Sequence, residues 1–388
     1  MGYLGTSERD ARLANVRRIM QEKDLDLALV YYDEFNIGNG WYLTGWCPQF
    51  ESGAVLVLRE GDSMLLGGPE SEPFAKLDSA ITETRNFPVF MVPDEEYPNA
   101  TITSFEALFE ELKGRAGSIR RGGLVGAGRM PADCYHQINE GFSGVEMIDI
   151  TDDYVSLRYD KSGWELEQIR AAFGLADHCY DAMAASITAG KMEIEVAAAG
   201  EYAARSRGAT GFGFSAIVGS GDRSNAVVPT ATKKVLEPGE VVMIGIAPKC
   251  NGYAGVVGHT LPVSGSYTAS QQECLDHLKE VFRLTKAQLR PGVKGSEIDA
   301  PGRAYYQQHG LLKYLVCPFA HTIGLHEAEA PFFGPHSSDV LKPGMAVCID
   351  VSFFGHPEWH GARIETGYEI TEDGAVPFSP KMDKLLTT

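Results

Sequence analysis

The sequence predicts two domains, an α/β N-terminal domain followed by an α+β C-terminal domain, and three observations carry that reading. The chain has 388 residues, enough for two separately packed cores. Its first half alternates helical and strand-like hydrophobic patterns. Its second half opens with two helices and then sets turn-bounded strands among further helices, the mark of an α+β arrangement and not of a doubly wound sheet.

The elements follow in order. Leu13, Val16, Ile19 and Met20 form an apolar stripe that predicts a helix over Arg9–Lys23, and Leu25–Tyr32 reads as a buried strand. Gly53–Leu58 and Ser63–Leu66 flank a Glu60-Gly61-Asp62 turn and predict a hairpin. Thr103–Lys113 is an amphipathic helix and Gly122–Gly126 a short strand. The polar run Leu157–Glu165, with its Ser162-Gly163 helix-start signal, predicts a connector and a domain boundary, giving domains 1–155 and 156–388. Helices are expected over Trp164–Ala185, Glu193–Arg207, Ser270–Leu289 and Ser296–Gln308. Strands are expected over Val241–Ala247, Leu261–Val263, Ala346–Val351 and Tyr368–Thr371, with a glycine-rich stretch at Gly208–Gly221.

The net charge of −18 disfavours nucleic acid and anionic membrane surfaces as partners. Seven cysteines without a CxxC pair read as free thiols in a reducing compartment. The N-terminus has no apolar h-region, and no run approaches the roughly 20 apolar residues a bilayer requires. Cytoplasmic is the expectation. Met1-Gly2-Tyr3-Leu4-Gly5-Thr6 fits the N-myristoylation pattern, but the pattern is short and is set aside. Gly219-Ser220-Gly221 and Gly126-Ala127-Gly128 do not open helices with the glycine spacing of a dinucleotide fingerprint.

Several phrases resemble one family, in order and across nearly the whole chain. These are Asn36-Ile37 with Trp41-Tyr42-Leu43-Thr44-Gly45, then Leu157-Arg158 through Ala172, and Leu236-Glu237-Pro238-Gly239-Glu240. They continue with Asn251-Gly252-Tyr253, His321-Thr322-Ile323-Gly324-Leu325, Leu341-Lys342-Pro343-Gly344-Met345 and Arg363-Ile364-Glu365. Together they resemble the creatinase/prolidase/methionine aminopeptidase superfamily. The resemblance implies a creatinase-N-like α/β domain plus an α+β pita-bread domain, in its two-domain Xaa-Pro peptidase/creatinase-like branch. It also implies a homodimer.

In the family's metallopeptidases, Asp, Asp, His, Glu and Glu hold two divalent ions that generate hydroxide and polarise the scissile carbonyl. The two Asp positions fall here on Gly245 and Val256, which offer no donor. The remaining three fall on His321, Asp350 and Glu365. Asp350 replaces a family Glu, which sets its oxygens about 1.5 Å back. The implied cofactor is therefore none or a single divalent ion (Mn, Co or Zn), and a dinuclear site is disfavoured. Creatinase cleaves a C–N bond without metal, using a histidine whose position falls here on Val227 or Val228, so that route is missing too.

His326 and Glu327 resemble the family's second His-Glu pair. Five residues, not the usual seven, separate His326 from His321, so Glu327 or Glu329 is the alternative occupant of the pocket. His259, His360, Arg363, Asp222 and Arg223 are candidate substrate-binding groups. Against this stand plainer readings: a core histidine at 321, an Arg363–Glu365 ion pair on one strand face, an Asp350–His321 pair, surface or outer-lying histidines at 259 and 360, and a loop salt bridge for Asp222-Arg223. An imidazole among carboxylates suits a general acid. The expected function is a hydrolase of the Xaa-Pro peptidase/creatinase type, acting on a C–N bond of a small peptide-like or amidine substrate. The alternatives are a metal-free lyase of the same fold, since one branch of the family is a lyase on a small sulfonium acid, and a catalytically silent binding protein.

Overall fold

The computed structural model describes residues 4–388, apart from the side chain of Ala116, so Met1-Gly2-Tyr3 of the acylation pattern lie outside the described residues. The chain divides into two compact units, the second being Tyr159–Thr388.

The first unit is built on a six-stranded sheet of β1 (Leu27–Tyr32), β2 (Gly53–Leu58), β3 (Met64–Gly67), β4 (Thr84–Asn86), β5 (Arg121–Val125) and β6 (Glu146–Asp149), in the order β4-β3-β2-β1-β5-β6. The β2–β3 hairpin is antiparallel, while β1–β5 and β5–β6 are parallel. Six helices accompany it: α1 (Thr6–Glu22), α2 (Ile37–Thr44), α3 (Glu72–Asp78), α4 (Phe105–Ala116), α5 (Ala132–Gly141) and α6 (Thr151–Ser156). Leu27, Leu29 and Tyr31 alternate into a core with Leu108, Leu112, Ile138 and Phe142, while Ala28, Val30 and Tyr32 are buried on the other face of the strand.

The second unit starts with α7 (Gly163–Ser186) and α8 (Glu193–Arg205). A capping box starts α7: the Glu165 N–H donates to Ser162 Oγ at 3.2 Å, and the Ser162 N–H donates back to Glu165 Oε2 at 2.9 Å. The predicted glycine-rich stretch in fact contains two short strands, β7 (Gly211–Phe212) and β8 (Ile217–Ser220). Then come β9 (Val241–Ile246), β10 (Pro248–Cys250), β11 (Tyr253–Ala254), β12 (Val257–Pro262), α9 (Ala269–Lys286) and α10 (Gly295–Gln308). The chain ends with β13 (Ala320–Thr322), β14 (Glu329–Phe332), β15 (Ala346–His356), β16 (His360–Thr371), β17 (Gly374–Pro377) and α11 (Pro380–Thr387).

The main sheet runs β14-β13-β15-β16-β12-β9-β8, with β17 added to β16; β11-β10-β7 form a separate small sheet. Pro-Gly turns launch two of the central strands, with Gly239 at φ 88° before β9 and Gly344 at φ 89° before β15. In each, the residue after Gly donates to the carbonyl three positions back at 3.3 Å, as a type II turn requires.

The expected strand at Leu261–Val263 is displaced: β12 is longer and begins at Val257. Gly258 dilutes its β signal, and pairing to β9 over six residues supplies the order that propensity does not. The last hairpin is likewise much longer than expected, because its partners β13 and β12 continue it on both sides.

Candidate active site

A row of directly paired residues crosses the main sheet. Ile217 on β8 pairs with Gly245 on β9, Gly245 with Gly258 on β12, Gly258 with Glu365 on β16, and Glu365 with Asp350 on β15. His321 on β13 pairs with Cys348, two residues from Asp350. The strand period of two therefore puts Gly245, Gly258, Arg363, Glu365, Cys348, Asp350 and His321 on one face.

On that face the polar groups converge. The His321 Nδ1–H donates to the Thr322 carbonyl at 3.0 Å, which turns Nε2 toward Glu365 Oε1 at 3.6 Å and Glu327 Oε1 at 3.8 Å. Arg363 Nε donates to Asp350 Oδ1 at 3.0 Å. Donor atoms of His321, Asp350 and Glu365 all lie within 4.8 Å of one another. Glu365 Oε1 is buried without a hydrogen-bond partner among the described residues.

Burial dominates the electrostatics and is then overruled for the imidazole. Burial alone would depress His321, but the adjacent carboxylates of Glu365 and Glu327 and the Thr322 carbonyl raise it to about 10. Asp350 is raised by burial to about 6 despite the opposing pull of Arg363. Glu365 is also raised, by burial and by the charge of Glu327, against His321 and Arg363. Burial works against the Arg363 charge too, but Asp350 and Glu365 more than compensate and hold it cationic. The site is a buried mesh of two cations and three carboxylates.

The wall toward β8 is apolar. Ile217, Met243 and Phe354 form a small buried cluster with Phe214 and Val227 against it. A Cβ on Gly245 would stand 3.3 Å from Ile217 Cδ1, so that isoleucine fills the ground beside the glycine. Val256 is fully buried.

Glu327, not His326, reaches His321. His326 lies half-buried in a turn closed by its carbonyl, which accepts the Gly324 N–H at 2.9 Å. The seventh position after His321 is the exposed Ala328. Glu329 is engaged elsewhere, paired with Lys161 at 2.8 Å with both side chains almost fully enclosed.

Four further candidates, His259, His360, Asp222 and Arg223, lie away from the cluster. His259 neighbours Gly258, so its ring projects from the opposite face; there Nδ1 meets the Tyr180 hydroxyl at 3.3 Å and burial pushes its pKa down to about 3. His360 pairs with Asp222 at 3.1 Å beside a separate cavity of about 320 Å³ lined by Tyr267, Cys274 and Trp359. Arg223 grips the fully buried Glu193 at 2.9 Å and donates to the Thr230 carbonyl at 2.6 Å, a loop-holding role. Sequence reasoning missed Cys317, whose Sγ lies 3.6 Å from Ser352 Oγ, and whose thiol is raised to about 11 by burial and by Asp350. No local motif marks it, since only the β15 register brings Ser352 beside it.

The first unit's mixed sheet and the second unit's antiparallel sheet with its polar face define a two-domain protein of the creatinase/prolidase architecture. Residues 12–159 match the Creatinase/Prolidase N-terminal domain, and residues 167–372 match metallopeptidase family M24. The chain belongs to metallopeptidase family M24. It is 28% identical over 376 residues to an Xaa-Pro dipeptidase of Pyrococcus furiosus, covering 97% of this chain and 99% of that one. It is 30% identical over 256 residues to the uncharacterized peptidase YqhT of Bacillus subtilis, covering 64% and 70%. Among solved structures it resembles the prolidase from Pyrococcus furiosus, with a TM-score of 0.77, 26% identity and coverage of 93% and 98%. It also resembles the prolidase from Pyrococcus horikoshii OT3, with a TM-score of 0.81, 24% identity and coverage of 95% and 97%. Among the described residues, no helix is long and apolar enough to cross a membrane.

Proposed function

We propose that the protein is a hydrolase of the Xaa-Pro dipeptidase/creatinase type that cleaves a C–N bond of a small peptide-like or amidine substrate by acid–base chemistry at His321. The observation that carries this is the His321 imidazole, oriented through Nδ1 with its Nε2 facing two carboxylates at 3.6 and 3.8 Å. Full-length similarity to an Xaa-Pro dipeptidase supports the reaction class.

A two-ion cage does not fit these residues, because Gly245 and Val256 provide no donor and Ile217 crowds the first position. One ion fits His321, Asp350 and Glu365. When bound it would polarise the substrate's carbonyl or amidine carbon as a Lewis acid, in competition with the His321 proton and with Arg363 on Asp350.

The chain's own groups supply the rest. Glu327, only partly buried, accepts a proton from the attacking water as its oxygen bonds to the substrate carbon. His321 Nε2–H gives its proton to the leaving nitrogen as the C–N bond breaks. The apolar wall of Ile217, Met243 and Phe354 limits competing water on one side. A homodimer in the cytoplasm is the expected working form, and sedimentation tests the oligomer. His321→Gln tests the chemistry: loss of at least about 100-fold in kcat on an identified amide or dipeptide is expected, and wild-type turnover would end the proposal.

A further inference from the structure

The cavity beside His360 lies clear of the His321 cluster: none of His321, Asp350 and Glu365 lines it. Its volume of about 320 Å³ falls at the small end of the range for small-molecule sites, roughly 300–1,000 Å³. It forms where two neighbouring strands part. β12 pairs with β9 at six positions but with β16 at one, Gly258 opposite Glu365. Past that point the Thr260 hydroxyl bridges the gap, accepting the Arg363 N–H at 2.9 Å and donating to the Arg363 carbonyl at 3.1 Å. Leu275 and Leu278 of α9 line the opening between the strands with apolar surface.

Two aromatic walls are held in place by protein. The Tyr267 hydroxyl donates to the Thr260 carbonyl at 2.8 Å. The Trp359 indole N–H donates to Ser270 Oγ at 2.8 Å, and its ring stacks on His356 with centroids 4.2 Å apart. The polar tips of both side chains are thus committed, and what the rings offer the cavity is π surface. The rim is acidic: Asp222, Glu240 and Glu358 line it, and no lysine or arginine does. Asp222 faces His360 at 3.1 Å, and Glu240 is answered by Lys234 at 2.8 Å. Glu358 accepts only the Ser270 hydroxyl and makes no ion pair among the described residues.

We propose that this cavity is a second binding site, for a small arylalkyl ammonium ion, with the ring seated among Tyr267, Trp359, Leu275 and Leu278 and the ammonium at the rim beside Glu358. Ring faces attract a cation, and a carboxylate without a partner takes its N–H donors. A carboxylate or phosphate ligand would instead meet the acids of the rim with no lysine or arginine of the lining to receive it. The site stands apart from the reading of His321 as an acid, and binding there requires no turnover.

The test is isothermal titration calorimetry of the full-length protein with 2-phenylethylammonium, 2-phenylethanol and 3-phenylpropanoate, which keep the ring and change the charge. Wild type is expected to bind the cation saturably and about ten-fold or more tightly than the alcohol, with the anion weakest. Glu358→Gln keeps a partner for Ser270 and should bring the cation down to the level of the alcohol. Leu275→Trp puts a ring into the cavity and should abolish binding of all the probes, with a urea melt reporting whether it folds; if it does not, Glu358→Gln decides alone. His321→Gln should bind the cation as wild type does, which separates this site from the active site. No saturable binding of the cation, equal affinity for the probes, a cation preference undiminished in Glu358→Gln, or binding lost in His321→Gln would overturn the proposal.

Discussion

Replacing Glu365 by Gln isolates the charge that holds the His321 proton. The carboxylate oxygen stands 3.6 Å from Nε2, and at an effective dielectric constant of about 20 that attraction is worth about 5 kcal/mol. The rise of the imidazole from 6.5 to about 10 corresponds to an energy of the same order, about 5 kcal/mol. It is what remains after Glu365 and Glu327 together have outweighed the cost of burial. Without Glu365, His321 should return to the ordinary imidazole range near 6.5 or below. Stability changes with it, because a group whose folded pKa is raised contributes fully below its unfolded value and loses that contribution as pH climbs through the folded value. The wild type should therefore weaken toward urea between pH 6.5 and about 10, while Glu365→Gln shows a flatter profile. Labelled-histidine NMR reads the titration directly, and urea melts at neutral and alkaline pH read the linkage. A wild-type His321 that titrates near 6.5, or identical alkaline slopes in both proteins, would refute the electrostatic assignment.

Two other outcomes follow from the same geometry. Lys161→Met removes the ammonium paired with the buried Glu329 carboxylate and should cost about 3–5 kcal/mol in urea denaturation, with part recovered when Glu329→Gln is added; a loss below about 1 kcal/mol would mean the pair is not buried in solution. Protein purified without chelator and supplied with Mn²⁺, Co²⁺ or Zn²⁺ should hold at most one ion per chain by mass spectrometry, lost in Glu365→Gln. Two ions would overturn the placement of Gly245 and Val256 at the missing donor positions.

The parts of the fold that were legible in the sequence are those with local chemistry. Ser162 and Glu165 announce the start of α7 by a capping box, and Pro238-Gly239 and Pro343-Gly344 announce the turns before β9 and β15. What was not legible depends on register. His259 and Gly258 are neighbours in sequence, yet only pairing of Gly258 with Glu365 decides that the glycine faces the cluster and the histidine faces Tyr180. His326 and Glu327 are separated in the same way: the turn closed by Gly324 and His326 brings the glutamate to His321. The Arg223–Glu193 contact was equally hidden, because its partner is thirty residues away at the start of α8.

The apolar residues Gly245 and Val256 and the charge on Arg363 are connected in the proposed site. A face carrying four carboxylates and a histidine needs multivalent cations to be stable when buried, since unpaired charge in the interior costs several kcal/mol per ion. On the proposed placement of the two Asp positions at Gly245 and Val256, two of those four charges are absent and Asp350 and Glu365 are left, with Glu327 added from the turn after β13. Asp350, Glu365 and Glu327 remain, and a guanidinium at 3.0 Å from one and an imidazolium within 4 Å of the other two nearly balance them. The face can then be stable without an ion, and its proton is held where a leaving nitrogen could take it. On the proposed reading, Arg363 balances the Asp350 carboxylate while His321 holds the transferable proton. Restoring Asp at position 245 alone would add negative charge against Ile217 without completing a cage, and would disturb the balance before it bound an ion.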